Sequence, residues 1–223
     1  MDALFLDCYG TLVAEDDVVV SGISDRVAAA TDRLVSSREV GRAWEVEFHA
    51  GCAAPRFRCQ RDVEYDSLSA VLRRYGAPLD AAHLLQPLFA YWQRAPLFPD
   101  AAHLLANAQV PICVVSNIDT ADLIALLDHH RLSVDHVVTS QQMRSYKPRP
   151  ECFREALHRL NCAPAQAVHV GDSWTADVHG AHALGIPAVW VNRKGRPRPD
   201  DVPARELRNL TGLLRPGDRI DSS

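Results

Sequence analysis

The stretch Leu4-Phe5-Leu6-Asp7-Cys8-Tyr9-Gly10-Thr11-Leu12 decides how the rest of the chain is read. The short, wholly apolar run Ala3–Leu6 is what a strand buried on both faces of a parallel sheet looks like. It ends on the carboxylate of Asp7, and Gly10 permits a sharp turn just beyond. A carboxylate delivered this way can attack phosphorus or an activated carbon as a nucleophile. Taken alone, Asp7 reads equally well as a strand-ending residue that caps a turn. Its neighbour Cys8 points the other way by strand alternation and reads as a packing thiol.

Four more short apolar runs follow, at Pro111–Val115, His136–Val138, Ala167–Val170 and Ala188–Val191. Helical patterns separate them, at Asp100–Ala108, Thr120–His130, Glu151–Leu160 and Thr175–Leu184, and Gly185-Ile186-Pro187 stops the last of these. Alternation of this kind predicts an α/β fold with a doubly wound parallel sheet. The interval from about Ser21 to Arg94 differs, with about four helical segments and no strand. Its apolar stripes are Val27, Leu34, Val40, Trp44, Phe48; Leu68, Val71, Leu72, Tyr75; and Leu84, Leu85, Leu88, Phe89, Trp92, all read as packing surface. The expected organisation is therefore a core of 1–15 and 95–223 with a helical cap at 16–94, standing over the C-terminal edge of the sheet. After Arg193 the chain is Pro-rich, with one short helical candidate at Ala204–Leu213.

Three other segments share the position of Asp7 at strand ends. Val114-Val115-Ser116-Asn117 closes the second strand with a hydroxyl. Ser145-Tyr146-Lys147-Pro148 follows the third and offers one cation. Val168-His169-Val170-Gly171-Asp172-Ser173-Trp174-Thr175-Ala176-Asp177 closes the fourth with two carboxylates. Singly, Ser116 or Asp172 reads as a helix cap and Lys147 as a surface cation. In a parallel sheet all four segments converge on one edge, and their joint occurrence favours a site.

The four segments, in this order and spanning residues 4 to 192, resemble the four motifs of the haloacid dehalogenase (HAD) superfamily, and the helical interval resembles that family's inserted cap. The resemblance implies a Rossmann-like core and a hydrolase acting on a small-molecule substrate. Asp7 would be the covalent nucleophile, with Thr11 supporting its loop. Ser116, Asn117 and Lys147 would belong to the catalytic set, Ser116 and Lys147 stabilising phosphoryl or carboxylate oxygens. Asp7, the main-chain carbonyl of Tyr9, Asp172 and Asp177 would hold Mg2+, a hard ion suited to oxygen donors.

Within that resemblance the motifs pull apart. Tyr9 stands where the family's phosphatases carry a second Asp as general acid and base, and Asp-x-Tyr-Gly-Thr is similar to the 2-haloacid dehalogenases. Halide leaves without a proton, whereas a tyrosine is a poor acid near neutral pH. The fourth motif keeps both acids and is similar to the metal-dependent phosphatases. The dehalogenases' cap arginine is matched by Glu45, with Arg38, Arg42 and Arg56 as substitutes, and the tyrosine common after the Lys motif is Phe153. Three crowded carboxylates call for a cation. A Mg2+-dependent phosphatase is therefore the favoured reading, with dehalogenation as the alternative. A phosphonatase would need a cap lysine, and Ser21–Arg94 has none. A catalytically degenerate binding protein is the reading from outside the enzymes, opposed by the retention of Asp7, Lys147, Asp172 and Asp177.

Composition excludes other classes. The 223 residues carry 24 Lys and Arg against 28 Asp and Glu, a formal charge of −4, which offers no basic surface for nucleic acid or anionic membrane. The stretch Arg193, Lys194, Arg196, Arg198 is broken by Gly195, Pro197 and Pro199 and reads as a solvated loop. Mean hydropathy is −0.13, no apolar run reaches membrane-spanning length, and the N-terminus does not read as a signal peptide. The six cysteines form no CxxC pair, which with the rest predicts a reduced, cytoplasmic protein. His169, His179 and His182 lack a fitting ligand set and read as surface or packing residues. Oligomeric state is not legible.

Overall fold

The computed structural model describes residues 1–31 and 34–213. Six strands, β1 (Ala3–Leu6), β2 (Ile112–Ser116), β3 (His136–Thr139), β4 (Ala167–Gly171), β5 (Ala188–Val191) and β6 (Arg205–Leu207), form one sheet in the order β3-β2-β1-β4-β5-β6. Every neighbouring pair is parallel. The strands β1, β2, β4 and β5 are buried at every position, which is why their sequences are apolar without alternation. Phe5, Val115, Phe153, Val178 and Trp190 belong to the core cluster around the sheet. From β1 the chain moves out to β2 and β3, then returns to β4 on the other side. The C-terminal ends of β1 and β4 thus flank the point where strand order reverses, the position at which open α/β sheets bind ligands.

Between β1 and β2 the chain inserts α1 (Asp17–Ala29), α2 (Ser37–Ala53), α3 (Gln60–Tyr75), α4 (Ala81–Trp92) and α5 (Pro99–Asn107). Later helices are α6 (Thr120–His130), α7 (Ser140–Met143), α8 (Glu151–Arg159) and α9 (Gly180–His182). The chain divides into two compact units, one comprising Met1–Glu15, Pro96–Asn117 and the chain from His130 onward, the other Asp16–Ala95 with Ile118–His129. The sequence expectation gave 16–94 to the cap and all of 95–223 to the core; here Ile118–His129 also groups with the helical unit. Its tie there is electrostatic. Asp119 accepts from the first amides of α3, Gln60 N at 2.9 Å and Arg61 N at 3.1 Å, as an anion at a helix N-terminus should. Asp122 accepts the Arg61 fork at 2.8 and 2.5 Å.

Within the helical unit α2 packs against both α1 and α3. A capping box between Ser36 and Glu39 starts α2, and Gly76, at φ +67°, ends α3 in the left-handed conformation. The stripes on α3 and α4 are buried at Leu68, Val71, Leu72, Leu84, Leu85, Leu88 and Trp92. Leu34 departs from its stripe: it lies between α1 and α2 and is fully exposed. The expected helix Ala204–Leu213 is replaced by β6 and a 3-10 turn at Leu210–Gly212. Strand β6 covers the free edge of β5, whose backbone groups need partners. The expected helix Thr175–Leu184 is a π-helical segment, Trp174–His179, running into α9. Among the described residues no helix is long and apolar enough to cross a membrane.

Candidate active site

Asp7 leaves β1 with its amide bonded to Val170 O of β4 at 2.9 Å. The following loop folds back on itself: Cys8 O accepts from Thr11 N, Leu12 N and Val13 N, and Gly10 N donates to Val13 O at 2.7 Å. Gly10 has φ +84°, and a Cβ built there would meet the Asp172 carboxylate at 2.5 Å. Glycine is required both for the backbone conformation and for the approach of Asp172 to the Asp7 loop. Main-chain bonds, not the Thr11 hydroxyl, hold this loop: Thr11 is buried, and its Oγ1 bonds no described residue. Tyr9 is half-buried in the same loop.

Asp7, Asp172 and Asp177 converge, each offering a carboxylate oxygen within 4.8 Å of the others. The π-helical geometry brings Asp177 back beneath the end of β4, so close that a Cβ on Gly171 would lie 2.2 Å from its Cγ. Lys147 supplies the cation. Its Nζ donates to Asp7 Oδ1 at 2.7 Å, Asp177 Oδ1 at 2.6 Å and Val115 O at 2.8 Å, satisfying all three ammonium donors in a buried position. Asn117 holds Lys147 by its main chain, accepting Lys147 N at 2.7 Å and donating to Lys147 O at 3.0 Å. It is thus a positioning residue for the lysine. Ser116 is buried at the end of β2, level with Thr139 of β3.

Electrostatics separate the three acids. Burial pushes the Asp7 carboxyl up to about 6, against the pull of Lys147 and with a further push from Asp177. Burial also acts on Asp177, but Lys147 and the His169 hydrogen bond outweigh it and hold this group below the usual carboxylate range. Asp172 is driven well above that range by burial and by its repulsion from Asp7 and Asp177. Burial opposes the charge of Lys147, yet Asp177 and Asp7 raise its pKa. Burial and Asp7 keep the Cys8 thiol protonated, as a packing residue should be.

Two residues that sequence reading passed over belong to this site. His169, read from the sequence as a surface or packing residue, is fully buried in β4, and its Nε2 lies 2.9 Å from Asp177 Oδ1. Its ring stands edge-on to Phe153, with centroids 5.0 Å apart. The legible signal was a polar side chain inside a wholly buried strand, which must find a partner. Arg193 is not part of a solvated loop: it donates to Thr11 O at 2.8 Å and pairs with Asp100 at 2.8 Å, over the Phe98 ring. No local pattern marks that role. The expectation does fit His179, half exposed beside Asp200. Arg38, Arg42 and Arg56 are exposed in the helical unit, and Glu45 pairs with His49 at 3.8 Å.

The donor set suits a hard divalent cation. Three carboxylates meet over two glycine positions where a side chain would collide, and one ammonium is bonded to the group. The model of the haloacid dehalogenase-like hydrolases matches residues 1–185, and the chain belongs to that family of hydrolases. Phosphoserine phosphatase of Thermus thermophilus is 35% identical over 129 residues, 55% of this chain and 51% of that protein. This chain therefore aligns with about half the length of that relative, and with less of the next phosphatases. (S)-2-haloacid dehalogenase 4A of Burkholderia cepacia is 26% identical over 87% of this chain and 84% of that protein. Among solved structures, the HAD-hydrolase YfnB of Bacillus subtilis, bound to magnesium, superposes with a TM-score of 0.76 at 20% identity, over 95% of this chain and 96% of that one. That likeness carries the fold: a parallel α/β sheet with an inserted helical cap.

Proposed function

We propose that the chain is a Mg2+-dependent phosphatase of a small phosphorylated metabolite, with Asp7 as nucleophile and the helical insertion at 16–94 as the part that selects the substrate. The observation that carries this reading is the imbalance of charge: three carboxylates converge, and a single ammonium is bonded to two of them, Asp7 and Asp177. A further cation at Asp7, Asp172, Asp177 and the Tyr9 carbonyl would relieve the repulsion that raises Asp172. Mg2+ bound there would neutralise phosphoryl oxygens and favour in-line attack.

The chain's own residues supply the remaining steps. Lys147 holds Asp7 by one oxygen, leaving the other to attack phosphorus. The Asp7 oxygen–phosphorus bond forms as the bond to the leaving oxygen breaks, while Lys147 and Ser116 stabilise the developing charge. Water then attacks the aspartyl phosphate at phosphorus, releasing inorganic phosphate and restoring the carboxylate. Tyr9, in the position where a carboxylic acid would protonate the leaving group, restricts the reaction to leaving groups that need no proton.

Dehalogenation is the second reading. It is supported by Tyr9 and by relatives that align along most of the chain, both (S)-2-haloacid dehalogenases. In that chemistry Asp7 would displace halide from carbon, and the ester would be hydrolysed. A screen of phosphorylated metabolites and 2-haloacids, each with and without Mg2+, separates the two. Phosphate release that requires Mg2+ and disappears in Asp7→Asn is expected; halide release without metal would replace this reading.

A further inference from the structure

The helical unit contains a cavity of about 750 Å3 lined from α1, α2 and α3, within the range of small-molecule pockets. Two of its polar side chains, Glu64 and Gln60, lack an adequate partner among the described residues. Glu64, in the second turn of α3, is 8% exposed and makes no ion pair among the described residues. The Trp44 indole favours its charge, but that N–H donates to Ser67 Oγ at 3.0 Å. One turn back on α3, Gln60 Oε1 is buried and accepts nothing from any described residue. Asp16, at the start of α1, adds a second carboxylate, already bonded to Trp92 Nε1 at 2.8 Å. Burial and then Asp16 push Glu64 up to about 8, the sign of an anion without a counter-charge.

Gln60 Oε1 without a donor, and Glu64 with only the Trp44 indole that Ser67 already takes, call for a ligand that donates. The lining carries Asp16, Asp17, Glu45 and Glu64 against Arg38 and Arg42, a formal charge of 2 − 4 = −2, and both arginines are exposed. Trp44 and Phe48 provide aromatic surface, which also favours a cation. A bare metal ion is a poor match, because among the described residues the cluster of three metal-ligand side chains is the Asp7 group. We propose that this cavity binds a small organic molecule through a protonated amine seated between Glu64 and Gln60 Oε1. An ammonium has three donors, enough for the Glu64 carboxylate, Gln60 Oε1 and one further acceptor. The inference concerns the helical unit alone and stands whichever reaction Asp7 performs.

The test is calorimetric titration of the full chain, above the pH at which Glu64 ionises, with 2-phenylethylamine, its neutral counterpart 2-phenylethanol, and phenylacetate. Tryptophan fluorescence is read in parallel, since Trp44 lines the cavity. The amine should saturate one site, with the alcohol and the acid at least about tenfold weaker. Glu64→Gln should weaken the amine by about tenfold or more without lowering the melting temperature, and Gln60→Leu should weaken it by a smaller factor. Should Glu64→Gln fail to fold, Gln60→Leu carries the test. Asp7→Asn should leave amine binding unchanged, which separates this site from the catalytic one. Equal binding of amine and alcohol, no saturable amine binding, amine affinity indifferent to both cavity substitutions, or its loss in Asp7→Asn would each overturn the proposal.

Discussion

Lys147 Nζ lies 2.6 Å from Asp177 Oδ1, and the two side chains expose 1% and 2% of their surface. The same oxygen receives His169 Nε2 at 2.9 Å, while Asp177 Oδ2 receives Ser173 N at 3.0 Å. Asp177 is thus the fixed member of the triad, and Lys147 ties it to Asp7. Removing one partner of a buried pair strands the other charge and costs about 3–5 kcal/mol. Lys147→Met should lose stability of that order in urea unfolding and lose turnover with it. A loss under about 1 kcal/mol would show that His169 and Ser173 suffice to hold Asp177.

Tyr9 sets the expected leaving-group dependence. Acyl, enol and aryl phosphates should be hydrolysed much faster than alkyl phosphates, because their leaving groups depart without a proton. Tyr9→Asp should raise the rate on alkyl phosphates, general acid catalysis being worth ~10²–10⁴-fold, and should change little where the leaving group is already good. The measurement is the rate across leaving groups of graded pKa, steep in the wild type and flattened by the substitution. Parallel slopes would place Tyr9 outside the protonation step.

Glu64 predicts a pH dependence of stability. Its ordinary value of 4.5 rises to about 8 on folding. Between those values the folded chain keeps a proton that the unfolded chain has lost. Stability therefore falls as pH rises through that window and levels off above about 8. The gap corresponds to on the order of 5 kcal/mol at most. Glu64→Gln cannot ionise, so it should melt above the wild type at about pH 8 and together with it near the unfolded value of 4.5. Identical pH profiles of the two melting temperatures would refute the assignment.

Much of this was legible in the sequence because each segment of the candidate site pairs an apolar strand with a polar end. Buried parallel strands expose chemistry only where they stop, so Asp7, Ser116 and Asp172 announce themselves. Lys147 and Asp177 sit beyond strand ends, and the structure brings both to Asp7 through the loop before α8 and the π-helical segment. What escaped depends on long-range partners. His169 looks like any strand residue until Asp177 folds back beneath it. Arg193 owes its role to Asp100 and Thr11 O, far away in the chain. Leu34 matched a helical stripe by spacing alone, and Ala204–Leu213 matched one because local periodicity does not register the open edge of β5. The acceptors Glu64 and Gln60 share a face of α3, but the cavity around them depends on α1 and α2.

Metal removal tests most directly whether a divalent cation completes the Asp7, Asp172, Asp177 group. One preparation is assayed for phosphate release from an aryl phosphate and for halide release from a 2-haloacid, after exhaustive EDTA treatment and again after Mg2+ is restored. Phosphate release should vanish with EDTA, return with Mg2+ and fail to return in Asp172→Ala, with no halide released at any stage. Halide release that survives EDTA undiminished, without metal-dependent phosphate release, would contradict the claim.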